Sequence, residues 1–138
     1  MTEFVLDNSV SMRWCFDAGN HDYADALFQR LTDGADRAWV PLLWRYEVSN
    51  VLARARSRDG LTAQYAAEFL ADLGSLNIVT DPEGQDRIFT DVHQLSVIRR
   101  LSAYDAAYLE LALRRDIPLA TLDQDLRRAA TTAGTTLL

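Results

Sequence analysis

Short apolar runs alternate with stretches of helical period along nearly the whole chain, and that alternation leaves few folds open. Phe4-Val5-Leu6, Ala38-Trp39-Val40, Asn77-Ile78-Val79 and Pro118-Leu119-Ala120-Thr121-Leu122 are too short for helices, and turn-forming residues bound several of them. They read as buried strands, with a short fifth strand over 135–138. Between them the period changes. Ala24, Leu27, Phe28 and Leu31 fall at i, i+3, i+4 and i+7, one face of a helix over 22–32. Val48, Val51, Leu52 and Ala55 line one side of a helix closed by Asp59-Gly60. Further helices are expected over 10–16, 62–73, 83–99, from Ser102 to Arg115, and over 124–133. The 83–99 helix is expected to bury Ile88, Val92, Leu95 and Ile98. Strands alternating with helices imply an α/β fold: a doubly wound, mainly parallel sheet flanked by helices on both faces.

The chain has 138 residues and shows no repeat, low-complexity tract or linker, so residues 1–138 are expected to form one domain. Its net charge of -6 argues against broad non-specific binding to nucleic acid. It leaves a nuclease open, because acidic metal ligands lower the formal charge and bound cations restore it locally. All 14 basic residues are arginine, which excludes a lysine Schiff base and suits bidentate phosphate contacts. A single cysteine, Cys15, forms no internal disulfide and fits a reducing, cytoplasmic setting. Met1-Thr2-Glu3-Phe4 does not read as a signal peptide, and no apolar run approaches the roughly 20 residues of a membrane span.

Four acids sit where this pattern changes register. Asp7 closes the first strand, Asp123 closes the run 118–122, Asp105 opens the helix after Ser102, and Glu47 lies early in the helix after Pro41-Leu42. In a parallel α/β sheet these positions converge outside the carboxyl ends of the strands, where such folds bind ligands. Two unit charges about 4 Å apart repel by roughly 4 kcal/mol at an effective dielectric near 20. A divalent cation relieves such repulsion, and oxygen ligands select Mg²⁺ or Mn²⁺.

Each acid also has a plainer role open to it. Asp7 and Asp123 suit helix N-caps. Asp105 fits a Ser-x-x-Asp variant of the capping box with Ser102. Glu47 suits a solvated helix face, although Tyr46 and Val48 beside it read as partly buried. Three polar residues support the acids: Ser9 at the edge with Asp7, Thr121 two before Asp123, and Asn50 one turn after Glu47.

Other chemistries lack their residues. His21 reads as a helix entrance and His93 as a surface or boundary residue, and neither has zinc spacing with Cys15. Gly-x-Gly-x-x-Gly, a Walker loop and Gly-x-Ser-x-Gly are all absent. A signalling receiver needs adjacent acids after the first strand and a lysine. A haloacid-dehalogenase-type phosphatase needs Asp-x-Asp where this chain has Asp7-Asn8-Ser9. Trp14, Phe16, Trp39, Trp44 and Tyr46 read as core or dimer contacts.

Val5-Leu6-Asp7-Asn8-Ser9, Glu47-Val48-Ser49-Asn50, Leu101-Ser102-Ala103-Tyr104-Asp105-Ala106-Ala107-Tyr108-Leu109 and Pro118-Leu119-Ala120-Thr121-Leu122-Asp123 occur in that order along the chain. In this respect it resembles PIN-domain proteins, specifically the VapC-type toxins of VapBC toxin–antitoxin pairs. The resemblance implies a sheet in the order 3-2-1-4-5, a homodimer, and endonucleolytic cutting of RNA such as tRNA or ribosomal RNA with Mg²⁺ or Mn²⁺. It implies a cognate VapB-type antitoxin that forms a hetero-oligomer with the toxin and occludes its site. It carries the catalytic and metal-binding acids onto Asp7, Glu47, Asp105 and Asp123, and the supporting groups onto Ser9, Asn50 and Thr121. Phosphodiester hydrolysis assisted by one or two metal ions is the chemistry expected, with arginines at the rim, among Arg13, Arg45, Arg54 and Arg99, contacting RNA. The alternative is a PIN-fold or receiver-like Mg²⁺-binding module without nuclease turnover.

Overall fold

In the computed structural model, which describes residues 1–138, strand β1 (Thr2–Leu6) runs through the middle of a parallel sheet. Strand β2 (Asp36–Val40) pairs with it on one side, and β3 (Ile78–Thr80) continues beyond β2. Strand β4 (Leu119–Ala120) pairs on the other side, giving the order β3-β2-β1-β4. Phe4 faces Ala38, and Leu6 faces Ala120. Successive strand residues point to opposite faces. Phe4, Val5 and Leu6 are all fully buried, so both faces of the sheet are covered.

The order agrees with the expected 3-2-1-4-5 through its fourth strand. The fifth is reduced to one parallel bridge between Leu119 and Leu137. Its partner β4 is two residues long, which leaves little ladder to extend.

Seven α-helices flank the sheet: α1 (Asn8–Phe16), α2 (Asp22–Thr32), α3 (Leu43–Arg58), α4 (Ala63–Ser75), α5 (His93–Arg99), α6 (Ala103–Arg115) and α7 (Gln124–Ala133). Local chemistry explains several starts. His21 Nδ1 accepts from Ala24 N (3.3 Å), Thr62 Oγ1 from Tyr65 N (3.1 Å) and Asp123 Oδ2 from Leu126 N (2.9 Å). These bonds satisfy amide donors that a helix start leaves open. The apolar stripes then dock: α2 buries Ala24, Leu27 and Leu31, and α4 buries Ala66, Phe69 and Leu73. No helix is long and apolar enough to cross a membrane.

The expected helix over 83–99 is instead three pieces: a 3₁₀ turn (Gly84–Arg87), a π turn (Ile88–Val92) and α5. A change of pitch breaks the shared face. Val92 is buried and Leu95 half-buried, whereas Ile88 and Ile98 are 47% and 64% exposed. The cause lies at Asp81, which is buried at the end of β3. Arg114 donates to Asp81 Oδ2 (2.5 Å) and to Glu83 (3.1 Å), drawing the chain onto α6 before a regular helix can begin. A Cβ at Gly84 would meet Asp81 Oδ2 at 2.8 Å, so a larger residue there would have to displace a carboxylate that Arg114 holds. The aromatic expectations divide. Trp14 and Trp44 are core residues and Trp39 packs against the core, but Phe16 and Tyr46 are exposed.

Candidate active site

Asp7 stands one residue beyond β1 and caps α1. Backbone pairing fixes its place, because Asp7 N donates to Ala120 O (3.0 Å). The amide that a simple N-cap would hold, Ser9 N, lies at a long 3.4 Å from Oδ2. Two hydroxyls bind that oxygen more closely, Ser9 Oγ at 2.5 Å and Thr121 Oγ1 at 2.8 Å. Ser9 Oγ also accepts from Leu122 N (2.9 Å), and Thr121 Oγ1 from Asp123 N (3.1 Å). The edges after β1 and β4 are thereby joined through side chains. Both hydroxyls reach Oδ2 of the Asp7 carboxylate, so Oδ1 receives no side-chain donor.

Asp105 and Ser102 form half of the anticipated capping box. Ser102 Oγ accepts from Asp105 N (3.1 Å), but the Asp105 carboxylate makes no return bond. It is left half-buried and unengaged. Asp123 does cap α7 through Oδ2. Glu47, in the second turn of α3, is half-buried and accepts at Oε1 from Tyr108 Oη (2.6 Å). Tyr108 is fully buried on α6, one turn after Asp105.

None of the four acids pairs with an arginine. The proton affinities of three of them record the strain. Burial, followed by the charges of Asp123, Asp7 and Asp125, pushes Asp105 up to about 6. Burial also raises Glu47; the Tyr108 bond opposes that rise, and the charges of Asp7 and Asp105 add to it. Burial raises Asp7 against the bonds from Ser9 and Thr121. Asp7 therefore acts electrostatically on both Glu47 and Asp105, and Asp123 acts on Asp105.

Uncompensated carboxylates, with an oxygen on Asp7 that takes no side-chain donor, fit a hard divalent cation. No three acidic, histidine or cysteine side chains form a ready-made cage. An ion bound there would take the rest of its shell from water or substrate oxygen, as Mg²⁺ does.

The remaining candidates make no hydrogen bond or salt bridge to these acids. Asn50 is exposed and makes no side-chain hydrogen bond. Arg13 pairs with Asp17 (2.6 Å), while Arg45 and Arg54 are exposed and Arg99 is half-buried. Arg127, not among the candidates, donates to Thr121 O (2.9 Å). Tyr108 was also missed, because a tyrosine inside an apolar run looks like core packing. Its signal was its spacing, i+3 from Asp105, together with a buried phenol's need for a partner. An apolar groove of about 570 Å³, lined by Leu42, Tyr46, Ile88, Val92, Tyr104 and Ala107 among others, involves the immediate neighbours of Glu47 and Asp105.

The family model for the PIN domain matches residues 4–131. The chain belongs to the PIN-domain family. No curated protein matches it significantly in sequence. Among solved structures, PAE2754 from Pyrobaculum aerophilum is 23% identical, with a TM-score of 0.66 over 93% of this chain and 79% of that one. A chain of VapBC2 from Rickettsia felis, solved with a DNA fragment from their promoter, is 11% identical, with a TM-score of 0.69 over 99% of this chain and 98% of that one. At these identities the likeness is one of fold.

Proposed function

We propose that this PIN-domain protein is a metal-dependent endoribonuclease and the toxin of a toxin–antitoxin pair, cleaving an RNA needed for translation. The observation that carries the reading is a set of electrostatically coupled carboxylates neutralised by no arginine, three of them held by hydroxyls or amides and Asp105 left unbonded. A structural cluster of acids is normally paired with cations. A phosphodiesterase site needs the opposite, negative charge kept open for a cation that the substrate shares.

Asp7, Asp105, Asp123 and Glu47 would hold Mg²⁺ or Mn²⁺. When bound, the ion supplies positive charge against the charge developing on the phosphate. The protein's own part is positional. Ser9 and Thr121 fix Oδ2 of Asp7 and leave Oδ1 for the ion. Thr121 also orders the backbone entering Asp123. Glu47, with Oε1 occupied by Tyr108, keeps Oε2 to orient the attacking water or to contact the ion. Binding to a VapB-type antitoxin and homodimer formation belong to the same reading. The fold likeness to a VapBC2 chain supports the antitoxin, and the exposed apolar residues around the groove supply contact surface.

The test is cleavage of total cellular RNA by the purified protein with Mg²⁺ or Mn²⁺, beside EDTA and Asp7→Asn. Discrete fragments that vanish in both controls are expected, with Asp7→Asn slower by on the order of 10²-fold or more. An Asp7→Asn protein as active as the wild type sinks the site. Retained Mn²⁺ binding without cleavage makes the domain a binding module.

A further inference from the structure

We propose that Tyr108 is a positioning residue for this reaction, fixing the Glu47 carboxylate so that it offers the site one oxygen. This rests on the nuclease reading and deepens it.

The two residues are 61 positions apart, on α3 and α6, and meet through a single bond of 2.6 Å from Tyr108 Oη to Glu47 Oε1. That length belongs to a charge-assisted O–H···O⁻ bond, stronger and more directional than a neutral one. The donor cannot wander. The Tyr108 ring is fully buried, and its neighbours Leu109 and Leu111 on α6 lie in the same core. The acceptor has no other anchor, because Glu47 forms no salt bridge and no second side-chain hydrogen bond. An unrestrained glutamate on a half-exposed helix face samples many rotamers. With Oε1 held, the carboxylate is confined and Oε2 alone remains free. The same bond ties Glu47 to the helix that carries Asp105, so the two acids keep a fixed relation although they come from distant parts of the chain. Removing partners that orient site groups in this way typically costs about 10–100-fold in activity.

The experiment compares the full-length wild type with Tyr108→Phe, Glu47→Gln and the double variant, in cleavage of total cellular RNA and by carbon NMR of glutamate carboxyls. Glu47→Gln assigns the Glu47 resonance. Tyr65→Phe, which loses a phenol bonded to Cys15 O (2.8 Å), is the control for loss of a hydroxyl elsewhere. Tyr108→Phe keeps the ring and is expected to melt close to the wild type. It is expected to lower apparent kcat about 10–100-fold with KM unchanged and to shift the Glu47 resonance. The double variant should be no slower than Glu47→Gln alone, and Tyr65→Phe should match the wild type. Activity of Tyr108→Phe within twofold of wild type overturns the proposal. So does an unmoved Glu47 resonance, or a double variant that loses the product of the two single losses. A wild type that cleaves no RNA counts against the nuclease reading alone, and the resonance then decides the Tyr108 contact.

Discussion

Asp7 and Asp81 occupy equivalent places in the fold and live in opposite surroundings. Each follows a parallel strand at the carboxyl edge of the sheet, and each is buried. Asp81 receives Arg114 at 2.5 Å with Arg115 at 3.7 Å, and the Arg114 bond and charge outweigh burial to hold its carboxyl below the usual value. Asp7 receives two hydroxyls and no cation, and burial wins. Edge position alone therefore does not mark a site in this sheet. What separates the two acids is whether the protein supplies the countercharge itself. Asp81 is part of the frame, with Glu110, Glu83 and Arg87 around the same arginine network. Asp7 has no protein cation beside it, as the proposed metal site requires.

The comparison can be broken at either end, and the largest effect lies in the frame. Arg114→Ala strands Asp81 and Glu110, both buried, and should destabilise by about 3–5 kcal/mol in urea unfolding. A loss under 1 kcal/mol would mean that the network is ornamental and the contrast empty.

Acid titration of metal-free protein sharpens the contrast at the other end. Asp105 holds its proton up to about 6 when folded, against an ordinary value of 3.8. Between those values the folded state binds the extra proton, so stability should rise as pH falls from 7 toward 5. Asp81 works the other way. Its stabilising charge is present above the ordinary carboxylate value and lost as pH falls through its lower folded value. Melting temperature should therefore climb from pH 7 to 5 and drop below 4. Asp105→Asn should flatten the first limb and leave the second; a wild type whose melting temperature falls steadily from pH 7 downward contradicts the assignment. The smallest effect separates Asp105 the amide from Asp105 the acid. Ser102→Ala removes the acceptor of Asp105 N and should cost about 1 kcal/mol by thermal melting.

Much of this arrangement was legible in the residues. Helix α7 falls at its expected bounds because Asp123 caps it at one end and Gly134, with φ of 84°, stops it at the other. Helix α2 was readable because its apolar spacing is strict. Where tertiary charge sets the path, the pattern misled. Ile88 and Ile98 carry a helical spacing, but Arg114 fixes the segment through Asp81 and Glu83, which no local period reveals. The acids at strand ends could be found from their place in the alternation, and their mutual repulsion followed from charge. Asn50 has the right spacing from Glu47 yet faces solvent, because α3 turns only one side toward the core. Tyr108 stayed hidden for a different reason. Its role depends on a hydroxyl that reaches a helix 61 residues earlier in the chain.

The central position of β1 has a consequence in time. The strand that carries Asp7 is made before the other three strands of the sheet, yet Thr121, which binds its carboxylate, lies 114 residues later. At typical synthesis speeds of about 5–20 residues per second, roughly 6–23 s pass between the two ends of that bond. Until then β1 lacks β4 and Asp7 lacks half of its hydroxyl cradle. A chain still being translated thus carries its first acid without a working site around it. Any chemistry that needs both halves of that cradle waits for the second half to be made.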